Sequence, residues 1–205
     1  MIGILKHNFI YLKHTLFPLL IVFVPLVVFS VQINNRTGFM SFDADDVFIV
    51  RADLDTDLKV NSREDALDEV SLTASPGLRV ETPKIRVPSM GEALWRLRVL
   101  PEAEKGSESI RIELPMRQYF FAKKVATNAT AGTISPVTAK LNLSSGLLHN
   151  AEGFLPKDSP LKRIEISYPR ARYPLFGWET DSIWLYFICM FGFALLLKPV
   201  FRVAL

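Results

Sequence analysis

Hydrophobic and polar residues alternate with a period of two through most of the middle of the chain. In EALWRLRVLP the apolar positions are Trp95, Leu97 and Val99, and in SIRIELP they include Ile110 and Ile112. Alternation of this kind, ended by proline or by a Gly/Ser cluster, predicts half-buried β-strands. The runs PKIRVP, LKRIEISYP, DDVFIVRADL and QYFFAKKVAT predict four more strands. A weak 3.6-residue period in NSREDALDEV, residues 61–70, is typical of a short helix.

Six or seven short strands separated by turns predict an all-β domain over residues 34–177. An antiparallel two-sheet sandwich of immunoglobulin-like type is the expected fold, and a closed barrel is the alternative. The segment ATNATAGTISPVTAKLNLSSG predicts a loop with at most one strand. The single cysteine, Cys189, lies outside this domain, so the core must be held by packing alone. Its predicted members are Trp95, Leu97, Val99, Ile110 and Ile112.

Two apolar stretches flank the β-rich region and predict transmembrane helices at residues 15–33 and 178–200. Each has about the 20 residues that a helix needs to cross ~30 Å of hydrocarbon. The second stretch is free of charge from Ile183 to Leu197 and is followed by a short tail, residues 201–205. Aromatic rings at its start and a basic residue near its end are typical of a membrane interface, namely Trp178, Trp184, Tyr186 and Lys198.

The opening segment allows two interpretations. A basic leader, an apolar run and Val28-Phe29-Ser30 resemble a cleavable secretion signal. However, residues 1–14 are long for such a leader, and their apolar residues fall on one helical face. We therefore expect a retained anchor whose amphipathic leader carries Lys6 and Lys13 toward water or headgroups.

The distribution of charge indicates how the chain is oriented. All 21 acidic residues lie between Asp43 and Asp181, whereas the two ends carry bases without acids, among them Lys6, Lys13, Lys198 and Arg202. The sequence pI near 9.0 therefore does not describe a basic domain, and no nucleic-acid partner is expected. The positive-inside tendency places both ends in the cytoplasm of a bacterial inner membrane and the central domain in the periplasm. Four bases before the second span favour the opposite orientation: Lys162, Arg163, Arg170 and Arg172.

One stretch resembles a calcium-binding loop. In DLDTDLKVNSRE, the acidic residues Asp53, Asp55, Asp57 and Glu64 occupy positions 1, 3, 5 and 12 of an EF-hand. Leu58 stands where that loop needs glycine, and the preceding residues are strand-like. We therefore expect a solvated strand end and no metal, with these four residues as weak candidates. The whole acidic region, residues 43–69, is expected to be a solvated surface or a docking face for a basic partner.

The sequence offers little for catalysis. His149 is the single histidine of the middle region, and no nucleophile, phosphate loop or zinc-ligand cluster accompanies it. We therefore expect no enzyme, no cofactor and no small-molecule substrate. A metal-dependent enzyme using Asp53, Asp55 and Asp57 is the remaining catalytic hypothesis.

Three stretches carry a resemblance: SPGLRVETPKIRVPSMGEALWRLRV, FFAKKV, and the last 48 residues from DSPLKRIEISYP onward. Together they resemble a family of uncharacterised bacterial inner-membrane proteins with a span, an extracytoplasmic β-domain and a second span. Longer members carry a further upstream span and a basic cytosolic helical segment, and their layout is similar to that of Oxa-type insertases. The resemblance implies an insertase role only if another chain supplies that part, and it implies no catalytic residues.

These observations favour a non-catalytic, two-span membrane protein that acts as a structural or accessory subunit of a membrane protein complex. Its expected partners are the lipid bilayer and other membrane protein subunits. The alternative is an accessory component of membrane-protein insertion or transport that works with a separately encoded helical partner.

The orientation gives a first prediction. Protease added to the outside of spheroplasts should digest the central domain, because residues 34–177 are expected on the periplasmic side. Immunoblotting against tags at the two ends measures the cut. Digestion that requires lysis of the cells would contradict the predicted orientation.

Overall fold

The computed structural model describes residues 23, 25–35, 37–55, 60–103, 108–115, 118–127, 134–141, 153–175 and 177–201. Side chains are not described for residues 60–63 or beyond Gly192. Three helices are present in this part of the chain: α1 (25–35), α2 (Val60–Glu69) and α3 (Ser182–Phe201).

The described residues form eleven strands. They are β1 (Val47–Leu54), β2 (Ser71–Ala74), β3 (Leu78–Val80), β4 (Ile85–Val87), β5 (Glu92–Val99), β6 (Ser109–Leu114), β7 (Tyr119–Lys124), β8 (Val137–Ala139), β9 (Leu161–Ile166), β10 (Arg172–Leu175) and β11 (Trp178–Asp181).

All strand pairs are antiparallel, and they form two sheets and a separate hairpin. The larger sheet has the order β3-β5-β1-β9-β8, and β4 also pairs with β5, beside β3 along the same edge. The smaller sheet has the order β2-β6-β7, and β10 pairs with β11. The prediction of an all-β domain is confirmed.

Both sheets contribute to one hydrophobic core. Alternation along β1, β5 and β9 sends every second side chain inward, as the period of two requires. Trp95 lies opposite Val50 in the β1–β5 ladder, and it is 4% exposed. The structure places all the predicted core residues in the interior, namely Trp95, Leu97, Val99, Ile110 and Ile112.

The outer face of the larger sheet carries the polar half of the same alternation. Glu81 accepts ion pairs from Arg98 at 2.5 Å and from Arg96 at 3.0 Å. The hydrogen bond from Arg98 lowers the pKa of Glu81, and the charges of the neighbouring arginines act in the same direction. Arg51 lies 3.8 Å from Glu92 across the β1–β5 pair. These ion pairs lie at the hydrated surface, and each contributes little to the free energy of folding.

Each of the six predicted strand runs contains a strand, and the helix predicted at 61–70 corresponds to α2. The strands β2, β10 and β11 were not predicted. The second predicted span began at residue 178, but Trp178–Asp181 pairs with β10 instead, and the helix starts at Ser182. The first predicted span lies partly outside the described residues. Among the residues and side chains that the structure does describe, no helix has both the length and the apolar character needed to cross a bilayer.

A lysine from the edge of the larger sheet closes the C-terminal end of α2. The Lys84 Nζ donates hydrogen bonds to the carbonyl oxygens of Leu67, Asp68 and Val70 at 2.7, 2.8 and 2.7 Å. The last carbonyls of a helix have no partner within the helix, and a cation there also interacts favourably with the helix dipole. Burial lowers the pKa of Lys84, which reflects the partial loss of water around the ammonium group.

We expect Lys84→Met to lower the free energy of unfolding by about 1–2 kcal/mol, because three carbonyls lose a charged donor. Urea denaturation of the full-length protein in detergent, followed by tryptophan emission, measures the change. Lys157→Met removes an exposed lysine from a turn and is the matched control. Equal effects of the two substitutions would show that the cap contributes nothing.

Candidate functional site

The structure assigns two of the weak metal candidates to separate ion pairs. Asp53, in β1, accepts from Arg163 of β9 at 2.7 and 2.8 Å, and Asp55 pairs with Lys140. The Asp53 side chain is 13% exposed, and its Oδ1 has no hydrogen-bond partner in the described part of the molecule. The carboxylates of Asp53 and Asp55 are therefore held by different basic residues.

The other predicted chemical residues lie apart from these. Glu64 is exposed on α2, and Asp57 and His149 fall outside the described residues. Within the described residues, no group of three His, Cys, Asp or Glu side chains is arranged to hold a metal ion. The residues that resembled an EF-hand loop do not form one, because β1 continues to Leu54, where Asp53 pairs with Arg163 of β9, while Asp55 pairs with Lys140 after β8.

The feature that organises the molecule is the place where the helices meet the β domain. We call it the junction: Asn34, residues 37–42, residues 168–173 and Ser182. The Ser182 hydroxyl, at the start of α3, donates a hydrogen bond to the Asn34 Oδ1, near the end of α1, at 3.0 Å. Farther along both helices, the rings of Phe29 and Tyr186 meet edge to face at 5.9 Å. The C-terminal half of α1 therefore lies beside the N-terminal half of α3, and the two run antiparallel.

Backbone pairing fixes this helix pair to the β domain. Met40 N donates to Pro169 O at 3.0 Å, Ala171 N donates to Gly38 O at 2.9 Å, and Phe39 is bridged to Arg170. These bonds join the segment after α1 to the segment before β10. Because two backbone bonds flank a β-bridge, this contact behaves as a short piece of sheet rather than as a flexible linker.

A stack of three aromatic rings connects the junction to the core. Phe42 is 2% exposed and lies between Phe48 of β1, at a ring-centre distance of 4.4 Å, and Tyr168, at 4.6 Å. The Tyr168 hydroxyl accepts a hydrogen bond from Ala126 N at 3.0 Å, and Phe42 N donates to Ala126 O at the same distance. Both sides of the junction are therefore attached to the β domain, through Phe48 of β1 and through Ala126, which follows β7.

Two further features close the junction around the end of α1. The Tyr173 hydroxyl donates to the Thr37 carbonyl at 2.6 Å, which ties the β10–β11 hairpin to this end. Gly38 N donates to Asn34 O at 2.7 Å, and a Cβ on Gly38 would lie 2.4 Å from that oxygen. Only glycine allows so close an approach.

The junction encloses a small cavity of about 90 Å³, lined by residues that include Asn34, Phe39, Arg170, Asp181 and Ser182. Pockets for drug-sized ligands occupy roughly 300–1,000 Å³, so this space suits a few water molecules rather than a substrate. The geometry of the junction therefore indicates a mechanical connection between the helices and the β domain.

The predicted interface residues are only partly described. Trp178 is 83% exposed at the start of β11, Trp184 is 64% exposed on α3, and Tyr186 contacts Phe29. Lys198 belongs to α3, but its side chain is outside the described part. Lys6, Lys13 and Arg202 lie outside the described residues altogether.

Sequence reasoning missed the residues of the junction and one buried lysine. Lys123 is 3% exposed in β7, and its Nζ donates to the Thr138 hydroxyl at 2.7 Å, which links the small sheet to the large one. Alternation in QYFFAKK places Lys123 on the same side as Phe121, so its inward direction was readable from the sequence. Apart from the local bond between Gly38 and Asn34, the partners within the junction are separated by more than a hundred residues, and no local pattern reports them.

Comparison with protein-family models finds no match for this sequence. A search of curated proteins likewise finds no significant match. The resemblance to two-span inner-membrane proteins therefore stays an expectation.

Removing the Tyr173 hydroxyl should loosen the junction. We expect Tyr173→Phe to speed amide hydrogen exchange at residues 38–42 about five-fold, which corresponds to the ~1 kcal/mol net value of one hydrogen bond. Mass spectrometry of the full-length protein in detergent measures the rates.

Tyr119→Phe is the matched control, because its hydroxyl also donates to a backbone carbonyl, that of Asp158 at 2.9 Å. The control should leave exchange at residues 38–42 unchanged. Equal rates in the two variants would argue that Tyr173 does not hold the junction.

Proposed function

We propose that this protein is a non-catalytic membrane subunit whose two helices anchor and orient a β domain that docks other membrane proteins. The junction is the observation that carries the proposal. A domain that needed only to be tethered would tolerate flexible linkers at both ends. Here the chain entering and the chain leaving the domain are hydrogen-bonded to each other and to the core.

Apolar surface on the helices supports the membrane part of the proposal. Large hydrophobic side chains are exposed on α1 and α3, namely Val27, Phe29, Trp184, Ile188 and Phe191, and Phe23 before α1 is exposed as well. In water, aligned apolar side chains of this kind are costly, whereas in lipid they are solvated. The proposed spans are the full apolar stretches 15–33 and 178–200 of the sequence, of which the structure describes part.

The order of the strands supports an immunoglobulin-like fold for the domain. In that fold, strands A-B-E-D form one sheet and C-F-G the other. Here β1, β2, β3 with β4, β5, β6 and β7 follow the chain order B to G, and their pairings match that plan. The place of strand A, beside strand B, is taken by β9 from the C-terminal part of the domain. The helix α2 is inserted between the strands equivalent to B and C.

The charge pattern supports a location in a bacterial inner membrane with both ends cytoplasmic and the domain periplasmic. The helix arrangement is compatible with this, because α1 ends and α3 begins at the same side of the helix pair. Other membrane protein subunits and the bilayer are the proposed partners.

Native sizing after gentle detergent extraction tests the proposal. We expect the tagged full-length protein to migrate as an assembly larger than a 23.2 kDa chain with its micelle and to carry other membrane proteins. A uniform monomer without co-purifying subunits would contradict a subunit role.

The Tyr173→Phe variant, with Tyr119→Phe as its control, tests whether docking needs the fixed orientation of the domain. Tyr173→Phe should reduce the yield of co-purified subunits while the protein remains in the membrane fraction, whereas Tyr119→Phe should not. An undiminished yield in both variants would show that docking does not need the fixed orientation.

A further inference from the structure

The β10–β11 hairpin projects from the junction as a short, two-faced ribbon. Its last pair is Leu175 opposite Trp178, so the turn is two residues long. Gly177 has a φ of +88°, a conformation that residues with a Cβ rarely adopt. Asp181 ends the hairpin and is followed directly by Ser182 of α3. The ribbon is therefore directly continuous with the start of that helix.

The two faces of the ribbon differ in polarity. Directly opposite residues share a face, so Tyr173, Thr180, Leu175 and Trp178 lie together. The other face carries the ion pair of Arg172 with Glu179 at 2.9 Å, beside Asp181.

The apolar face is covered at one end and open at the other. Tyr173 and Thr180 are half-buried, and the Tyr173 hydroxyl reaches the end of α1. Trp178 lies two residues farther along the strand, about 7 Å away, and is 83% exposed, which is the highest value among the exposed large hydrophobic residues of the described chain.

We propose that this hairpin lies on the bilayer surface with Trp178 among the lipid headgroups, so that it fixes the tilt of the β domain over the membrane. The inference rests on the proposed function, because it takes α1 and α3 as membrane helices. Under that arrangement the junction stands at headgroup level, and the proposal places the open end of the apolar face at the same level. Trp favours this interface since its ring is apolar and its N–H remains able to donate. The polar face, with Arg172 and Glu179, then points to water.

Fluorescence quenching in vesicles tests the inference. The full-length protein is reconstituted into phosphatidylcholine–phosphatidylglycerol vesicles whose acyl chains carry bromine near the headgroup. Wild type is compared with Trp178→Phe and Trp184→Phe, while Trp95 supplies the same buried background in all three. We expect each substitution to remove about half of the quenchable emission, because both outer tryptophans should lie at the interface.

The outcomes separate the hairpin from the membrane proposal. If Trp184→Phe reduces quenching and Trp178→Phe does not, the hairpin inference is overturned and the membrane anchor stands. If bromine quenches none of the emission, both are overturned. If Trp178 is shielded from acrylamide yet untouched by bromine, a second copy of this chain covers it, which also overturns the inference.

Discussion

The antiparallel contact between residues 38–40 and 169–171 is the constraint on which the rest of the structure depends. It lies immediately after α1 and immediately before the hairpin that leads into α3, so both helices leave the domain from one place. Phe42 and Tyr168 extend the contact inward, where their stacked rings join the core beside Phe48. Burying these rings contributes to the stability of the domain and of the helix attachment together. The orientation of the helices is thereby linked to the folding of the β domain.

The order of strands in the larger sheet follows from this contact. Since the two ends of the domain meet at the junction, the C-terminal strand β9 is available beside β1, and it pairs with β1 from Val50 to Leu54. The ion pair of Arg163 with Asp53 crosses this ladder, and a buried carboxylate of this kind would be costly without a base. What resembled a metal-binding motif along the chain therefore serves to bind a late strand to an early one. The large separation of these partners also makes their pairing a non-local step in folding.

The two faces of the larger sheet differ in polarity. The larger sheet keeps one face for the core and one for water, where arginines of β5 alternate with its buried residues and pair with Glu81. Its β3–β4 edge is interrupted near Pro83 and Pro88, which discourages pairing with another chain. Large hydrophobic side chains are exposed on the helices and at Trp178, and also on the β domain, for example at Ile85, Met90 and Phe120. The proposal that the helices lie in lipid and the hairpin at its surface rests on the apolar side chains exposed on the helices and on the exposure of Trp178.

The sequence by itself determined the elements that depend on local periodicity. Alternation in EALWRLRV and SIRIEL determined two strands and their inward residues, and the apolar run at 178–200 predicted the helix α3 but not its start at Ser182. Only the tertiary structure decided which strands pair, that Asp53 and Asp55 go to different bases, and that Phe42, Tyr168 and Tyr173 form a junction. The reason is physical: a period of two or 3.6 reports which side of an element is buried, but it does not report the partner. Contacts between residues more than a hundred positions apart are selected by the packing of the whole domain.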